Sequence, residues 1–447
     1  MSGKNRTVYF LTWMLLACLL VSGLAGCGKQ GGEPESAAEK ESGSAEQTAH
    51  PGENAPAGGT VDLMAGITKK ATVSEEIPEN GAVELTDFAV RLFQRTNETG
   101  KNTLISPISV MYALAMTANG ADGETRAQME SVLGLDVDSL NQYLAAYSAH
   151  FSGGIKSRLA LANSIWATEK DGFTVEPAFL QTNADYYDAQ IYQAPFDGDT
   201  VNLVNDWISE KTEKMIPKML DSIPADTVML LINALTFDAE WESIYTTDQV
   251  HDGEFTREDG SKVGCTMMYS EEWSYLEDEQ AAGFVKPYAE GRFAFAALLP
   301  KEGVSLDEYV SSLDGAKLHE LLSSQESTKV ITGLPKFETE SSITLNEALQ
   351  AMGIVDGFDQ TKADFSLLGH SDAGNIFISQ VLHKTFISVD EKGTKAGAAT
   401  VVMMAEGAML EEPKEVILDR PFVYMLIDTE QNIPIFIGTM TDVSGQM

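Results

Sequence analysis

The sequence predicts an α+β fold in which helices come first and large β-sheets make up most of the rest. Apolar residues recur at helical spacing soon after residue 83, and long strand-like runs dominate the second half. With 447 residues and a hydrophobic content of 43%, the chain can bury a large core. This order of elements is typical of helices packed on antiparallel or mixed sheets.

Three helices are predicted at the start of the folded region. The first covers Glu84–Thr96, where apolar side chains recur every three to four residues. The second covers Pro107–Ala118, with Ser106 as the N-cap and proline at the first helical position. The third covers Thr125–Leu133.

Strands are predicted for the later apolar runs, and the sequence has no internal repeat. The predicted strands are Leu159–Ala167, Val228–Phe237, Phe293–Leu299, Lys329–Glu338, Phe377–Val389, Val423–Ile427 and Ile433–Thr439.

The composition excludes several functions. A net charge of -37 leaves no basic stripe to neutralise phosphates, so a nucleic-acid partner is not expected. Three cysteines cannot build a disulfide framework, and there is no closely spaced Cys/His cluster. We therefore expect neither a metal site nor a cofactor.

The N-terminus is predicted to be an export signal. Residues 1–27 contain Lys4 and Arg6, then an apolar stretch interrupted by polar residues, then Ala25 and Gly26 before Cys27. The stretch L-A-G-C resembles the bacterial lipoprotein signal, which implies that Cys27 is the lipidated first residue of the mature protein. The alternative is an ordinary signal peptide with a chance cysteine.

Residues 28–66 are predicted to be a flexible acidic tether, because they are rich in Gly, Ser, Pro and Glu and poor in apolar residues. The folded domain is assigned to residues 67–447. The expected location is the extracellular face of the cell membrane, with release from the cell as the alternative.

Several blocks of the domain together resemble the serpin family. Each block alone is weak, but all of them occur in the family's order. They are "NTLISPISVMYALAMTANGADGETRAQM", "LANSIW", "LINALTFDAEW", "LPKFETE", "LHKTFISVDEKGTKAGAAT", "DRPFVYMLI" and "IPIFIGTM".

This resemblance implies a serpin fold, in which helices pack around three β-sheets and an exposed reactive-centre loop can enter the central sheet as an added strand. It also implies a monomeric inhibitor of serine proteases, extending to some cysteine proteases. The protease cleaves the loop, is trapped as an acyl-enzyme and is then distorted.

The resemblance assigns a hinge at the start of the loop. The hinge residues are Glu391, Gly393, Thr394, Ala396, Gly397, Ala398, Ala399 and Thr400. In a strand, side chains alternate between faces, so the even-numbered residues from Thr394 would face the core. None of these carries a charge, whereas the charged Lys395 falls on the outward set, so insertion buries no unpaired ion.

The resemblance also assigns residues that control opening of the sheet. Ser106, Ser109, Asn233 and His383 match a polar cluster beneath its centre. Lys336 and Glu391 match a pair at its top, and Trp241 matches an aromatic residue in the same region.

The scissile bond is assigned by the family's usual spacing. Thirteen residues beyond Thr394, it falls between Gly407 and Ala408. The nearby alternatives are Glu406, Met409 and Leu410. Small residues favour an elastase-like or subtilisin-like target, and Met409 or Leu410 favours a chymotrypsin-like one.

Other functions were weighed against this assignment. Residues 369–373 approach the G-x-S-x-G nucleophile elbow, but a strand-like run follows where a hydrolase needs a helix. A solute-binding lipoprotein would need two α/β lobes, which the C-terminal strand pair argues against. A non-inhibitory member of the family typically has charged or proline-bearing hinge residues, and this hinge has neither.

Overall fold

A computed structural model describes residues 59–74, 76–78, 81–150, 156–394 and 412–444, all of them within one compact unit. This part of the chain contains nine α-helices. They are α1 Gly81–Thr96, α2 Pro107–Ala118, α3 Gly123–Leu133, α4 Val137–Ala149, α5 Pro177–Tyr186, α6 Gly198–Lys211, α7 Leu306–Ser312, α8 Gly315–Ser323 and α9 Asn346–Met352.

The strands of the same residues form three large sheets and one short pair, β4–β14. They are β1 Val61–Asp62, β2 Thr103–Ile105, β3 Ser157–Thr168, β4 Thr174–Val175, β5 Gln190–Ala194, β6 Met229–Glu240, β7 Val250–Thr256, β8 Lys262–Glu272, β9 Ser274–Glu277, β10 Ala281–Pro287, β11 Phe293–Pro300, β12 Val330–Pro335, β13 Phe337–Thr344, β14 Gly369–His370, β15 Gln380–Val389, β16 Gly393–Thr394, β17 Lys414–Ile417, β18 Phe422–Asp428 and β19 Ile433–Met440.

The central sheet has the order β1-β5-β3-β6-β16-β15-β13. A second sheet has the order β2-β19-β18-β11-β10-β9, and a third has the order β17-β12-β8-β7. This arrangement confirms the predicted α+β class with three sheets.

The second sheet forms the centre of the core. Every residue of β18 and β19 is buried, so these strands read as continuous apolar runs rather than alternating ones. The central sheet packs against them through Phe337 of β13, whose ring lies 5.0 Å from that of Tyr424 in β18. The ring of Tyr424 in turn stacks on Phe295 of β11, 6.2 Å away.

The three predicted helices are present as α1, α2 and α3, and the second matches its predicted bounds. Ser106 is the N-cap residue of α2, but its side chain makes no capping hydrogen bond. Its hydroxyl is fully buried instead, and the predicted cap position is confirmed.

The predicted strand Lys329–Glu338 proved to be two strands in different sheets. β12 ends at Pro335, opposite Met267 in the third sheet, and β13 begins at Phe337 in the central sheet. Only Lys336 separates them. Apolar alternation does not show this change of sheet, because it continues through the junction.

The pattern did not reveal α4 to α9 or several strands of the second and third sheets. Many of these elements are short: α7 and α9 have seven residues each and β9 has four. Periodicity over so few residues is a weak signal, and these elements depend on tertiary packing.

The packed structure begins earlier than the predicted domain. β1 pairs with β5 at the edge of the central sheet, with Val61 opposite Gln193. It therefore lies inside the segment that the sequence assigned to the tether, and a strand of two residues leaves no period to detect. No helix in the described ranges is both long and apolar enough to cross a membrane.

Candidate functional site

The central sheet is only partly closed between β6 and β15. The two strands pair in parallel from Leu230–Gln380 to Leu235–Thr385. Further along, the place between them is taken by β16, which is antiparallel to both. Thr394 of β16 lies opposite Ala239 on one side and Val389 on the other.

The hinge turns into this gap through a tight loop, Asp390–Gly393. The Asp390 carboxylate accepts hydrogen bonds from the backbone N–H of Lys392 at 2.7 Å and of Gly393 at 3.2 Å. Gly393 has φ 156°, and a Cβ there would lie 2.0 Å from the carbonyl oxygen of Ala239. The predicted hinge glycine is therefore required by the close approach to β6.

Thr394 is fully buried and faces the core, as the alternation predicted. Its hydroxyl lies 2.6 Å from that of Tyr288, which is also buried. The Tyr288 ring stacks on Trp241, with the ring centroids 4.3 Å apart. The first hinge residues are thus seated on an aromatic platform, which we define as Trp241, Tyr245 and Tyr288.

Hydrogen bonds join this platform to the backbone of the turn that precedes Thr394. The Trp241 indole N–H donates to the Asp390 carbonyl at 2.8 Å, and its backbone N–H donates to the Lys392 carbonyl at 2.8 Å. The backbone N–H of Tyr245 donates to the Glu391 carbonyl at 2.9 Å. The sequence analysis placed Trp241 in this region but did not identify Tyr245 or Tyr288.

Lys336 and Glu391 form the ion pair that the resemblance implied, with Nζ and Oε2 2.6 Å apart. The hydrogen bond from the Lys336 ammonium holds the pKa of Glu391 below its ordinary value. Both side chains are partly exposed, so the pair contributes roughly 1 kcal/mol or less. It positions the turn rather than locking it.

The polar cluster beneath the sheet is a chain of directed hydrogen bonds. The backbone N–H of Ser106 donates to His383 Nε2 at 2.9 Å, which leaves the proton of the ring on Nδ1. Nδ1 then donates to Asn233 Oδ1 at 2.5 Å. The Asn233 amide donates to Asn163 Oδ1, also at 2.5 Å, and extends the chain to β3.

Three predicted members of the cluster lie in this chain, and one does not. Ser109 is buried in the first turn of α2, and its hydroxyl has no hydrogen-bond partner among the described protein atoms. Asn163 is a member that the sequence analysis missed, although it lies in the quoted stretch "LANSIW". The sequence alone does not show that Asn163 of β3 lies opposite Asn233 of β6.

The cluster requires a neutral imidazole. Burial lowers the pKa of His383 to about 3. Protonation of Nε2 would also turn the acceptor of the Ser106 N–H into a donor. At neutral pH the ring therefore joins the start of α2 to β15 and β6 without introducing a buried charge.

Several predicted residues fall outside the described ranges. They are Ala396, Gly397, Ala398, Ala399 and Thr400 of the hinge, Glu406, Gly407, Ala408, Met409 and Leu410 around the scissile bond, and Cys27.

The near-miss nucleophile elbow lacks the strand–turn–helix context of that motif in the described residues. Ser371 follows the two-residue strand β14, and residues 375–379 after it form no helix. Its hydroxyl donates to the carbonyl of Asp171 at 3.4 Å and accepts from the backbone N–H of Ala373 at 3.2 Å. Within the described residues no group of three or more His, Cys, Asp or Glu side chains is placed to hold a metal ion.

The geometry defines a class of protein: an α+β domain whose central sheet holds the first residues of a hinge between two strands that are only partly paired. A model of the serpin family, described as serine protease inhibitor, matches residues 83–443. The chain belongs to the serpin family.

Relatives are found in distant organisms. An uncharacterized serpin-like protein of Thermococcus kodakarensis is 29% identical over 383 residues, covering 83% of this chain and 88% of that protein. Leukocyte elastase inhibitor A of Mus musculus is 31% identical over 365 residues, covering 78% and 96% respectively.

Among solved structures, the thermophilic serpin tengpin is similar in two states. Its native state has a TM-score of 0.82 at 46% identity, covering 86% of this chain and 99% of that one. Its latent state has a TM-score of 0.72 at 43% identity, covering 84% and 100%. The present arrangement is therefore more similar to the native state of tengpin than to its latent state.

We expect acid to destabilise this domain through His383. The pKa of its imidazole is lower in the folded protein, about 3, than the ordinary value of about 6.5. Its contribution to stability is therefore complete above pH 6.5 and is lost as pH falls toward 3. At pH 4.5 the loss is about 2 to 3 kcal/mol. The free energy of unfolding, measured with urea at pH 7.5 and at pH 4.5, gives this loss.

The His383→Gln variant is the matched control, because it keeps an amide in place of the ring but does not titrate. It should be less stable at pH 7.5 and should lose less stability between pH 7.5 and 4.5 than the unmodified protein. An equal loss in both proteins would show that His383 is not the acid-sensitive group.

Proposed function

We propose that this protein inhibits serine endopeptidases by a suicide-substrate mechanism, and that its inhibition extends to some cysteine proteases. The observation that carries the proposal is the position of Gly393–Thr394, which already stand as a strand between β6 and β15. Strand addition to a sheet supplies new main-chain hydrogen bonds, and the direction of β16 lets the chain after Thr394 continue into the gap.

The register allows insertion to be followed residue by residue. Gly393 lies opposite Glu240 and Thr394 opposite Ala239, so each later residue would meet one residue earlier in β6. Lys395 to Gly397 would meet Asp238 to Thr236, where β6 and β15 are not paired with each other. From Ala398, insertion would have to separate the parallel pairs that begin at Leu235 and Thr385.

The same register connects insertion to the polar cluster. Asn233 and His383 are direct partners in the parallel pairing, and an inserted strand would increase the distance between their strands by about 4.8 Å. Their hydrogen bond could not survive this change. Continued from Thr394, the register would bring Thr400 opposite Asn233, on the core-facing side, where its hydroxyl could bond both groups.

The free energy of insertion can be large. About ten inserted residues would form hydrogen bonds with both neighbouring strands, in place of the single short parallel ladder between β6 and β15. Each hydrogen bond contributes a net ~1 kcal/mol. The gain is on the order of 10 kcal/mol, comparable with the stability of a whole domain. That is enough to displace and deform a protease that is attached to the loop.

The attachment is an ordinary acyl-enzyme. The protease serine attacks the carbonyl carbon of Gly407, the peptide bond to Ala408 breaks, and the new amine of Ala408 takes the proton from the catalytic histidine. Insertion then carries the ester away before water can hydrolyse it. Small residues at this bond favour an elastase-like or subtilisin-like target, and cleavage at Met409 or Leu410 would favour a chymotrypsin-like one.

Relatives support an elastase-like target, because several of them are named leukocyte elastase inhibitors at 30–31% identity. The alternative is a serpin that does not inhibit. The uncharged small residues from Ala396 to Thr400 favour the inhibitor.

Mixing the mature domain with a panel of serine proteases should give a complex that survives boiling in detergent. The ester bond is the physical reason, since a non-covalent complex would dissociate. Mass spectrometry of the released loop fragment then identifies the scissile bond. Plain cleavage between Val401 and Leu410 by every protease, with no complex, would favour the non-inhibitory alternative.

The Thr394→Arg variant should be cleaved without trapping the protease. Thr394 is fully buried against Tyr288, and a guanidinium in that place costs several kcal/mol unless it is paired. Insertion should therefore become slower than hydrolysis of the ester. The Thr394→Ser control keeps the hydroxyl and should inhibit normally. If the arginine variant inhibits with unchanged stoichiometry, insertion does not proceed through this position.

We also propose that the protein is a monomer held by lipid at Cys27 on the extracellular face of the cell membrane. The support is the signal-like N-terminus and the polar composition that follows it. A single acyl chain binds membranes only weakly, so stable anchoring needs the multiple chains of a lipoprotein.

Expression of the full chain in a bacterial host tests the anchor. Metabolic labelling with a fatty acid should mark the unmodified protein but not the Cys27→Ala variant, which should leave the membrane fraction. Equal partition of both proteins into the membrane fraction would contradict lipidation at Cys27.

A further inference from the structure

A cavity of about 530 Å³ lies beside the hinge and shares one residue, Tyr245, with the aromatic platform. Its walls come from three places: the connection after β6 at residues 242–249, the end of β8 with the following turn, and the end of β10. Trp273 lines it and is 52% exposed. A half-exposed indole on a cavity of this size suits a partner side chain.

The charged side chains on the floor of the cavity are paired with each other. Lys286 is almost fully buried, and its ammonium lies 2.7 Å from the carboxylate of Glu272. It also lies 4.5 Å from the ring of Tyr245. Burial alone would lower the pKa of Lys286, but Tyr245 and Glu272 together outweigh it and raise the pKa above its ordinary value. The lysine is therefore a fixed cation whose charge is already compensated.

The accessible groups of the cavity suit a cation. Glu242 and Glu271 are exposed carboxylates on its wall, and Glu271 shares its charge with Lys329 at 2.8 Å. The indole of Trp273 offers the face that lysine and arginine side chains prefer. An anion would be repelled by these two carboxylates, and a purely apolar ligand would desolvate Glu242 without offering its carboxylate a partner.

The position of the cavity indicates which partner carries that cation. The loop returns to the fold at Lys414, which lies opposite Val330, and Val330 lies opposite Glu272 beside Trp273. From Ala408 to Lys414 the chain advances six residues, which reach at most ~22 Å. A protease domain of about 200 residues has a radius of gyration of roughly 16 Å, so the surface of a protease bound at this peptide bond is within reach of this end of the third sheet.

We propose that this cavity is a second docking site for the target protease and takes a lysine or arginine side chain from the surface next to the protease's active-site cleft. This proposal rests on the proposed inhibitory function. It narrows the partners of the inhibitor to proteases whose surface next to the active-site cleft is basic. The net charge of -37 adds long-range attraction for such a partner.

The test measures the association rate constant of the mature domain with an elastase-type serine protease of basic isoelectric point, at about 0.05 and 0.5 M salt. The variants are Trp273→Ala and the double variant Glu242→Gln/Glu271→Gln. We expect each to lower the rate constant about five- to tenfold at low salt, with an unchanged stoichiometry of inhibition. Trp273→Phe should restore part of the rate, because an aromatic face remains.

Glu347→Gln is the matched control for general electrostatic attraction. Glu347 is exposed in α9, just beyond the end of β13 that is remote from Lys336. It should leave the rate constant unchanged. An equal slowing by Glu347→Gln would show overall charge attraction and would overturn a specific site.

Two further outcomes separate this site from the function on which it rests. Detergent-stable complexes that form at the same rate with every variant would overturn the docking site and leave the inhibitory function intact. If the unmodified domain forms no such complex with any protease, the proposed inhibition fails first, and the docking site fails with it.

Discussion

The structure depends on a neutral histidine that joins the start of α2 to two neighbouring strands of the central sheet. His383 accepts a hydrogen bond from the start of α2 and donates one to Asn233 of the neighbouring strand. Only a neutral imidazole can do both, and burial keeps it neutral. Because Asn233 lies directly opposite His383 in the parallel pairing, the bond that closes the sheet also lies where an added strand would pass.

The gap above this bond is maintained from the other side by aromatic packing. Tyr288 and Trp241 stack beneath the first hinge residues, and the threonine hydroxyl of the hinge bonds to Tyr288. Gly393 and Thr394 thereby form a strand between β6 and β15. The polar cluster joins β6 and β15 where the two strands pair directly, whereas the platform packs against Thr394, which lies in register with β6.

The sequence predicted the elements that carry strong local signals. Helix α2 has proline at its first position, and strands such as β6 and β19 are long apolar runs, so their bounds were predicted to within about three residues. The sequence did not predict elements that are defined by strand pairing rather than by a residue pattern. β1 and β16 have two residues each and exist only because a neighbouring strand accepts them.

The candidate site shows the same division. The hinge was assigned by the family resemblance, and its residues suit the role because a run of small, uncharged side chains can serve both as a solvated loop and as the leading end of a strand. The family resemblance identified His383, Asn233, Trp241 and the Lys336–Glu391 pair. Only the tertiary structure decided that Asn163 and Tyr288 complete the site, that Ser106 contributes its backbone, and that Trp273 lies on a cavity. The physical reason is that a hydrogen bond or a ring stack needs two partners, and here they are separated by between 47 and 277 positions in the chain.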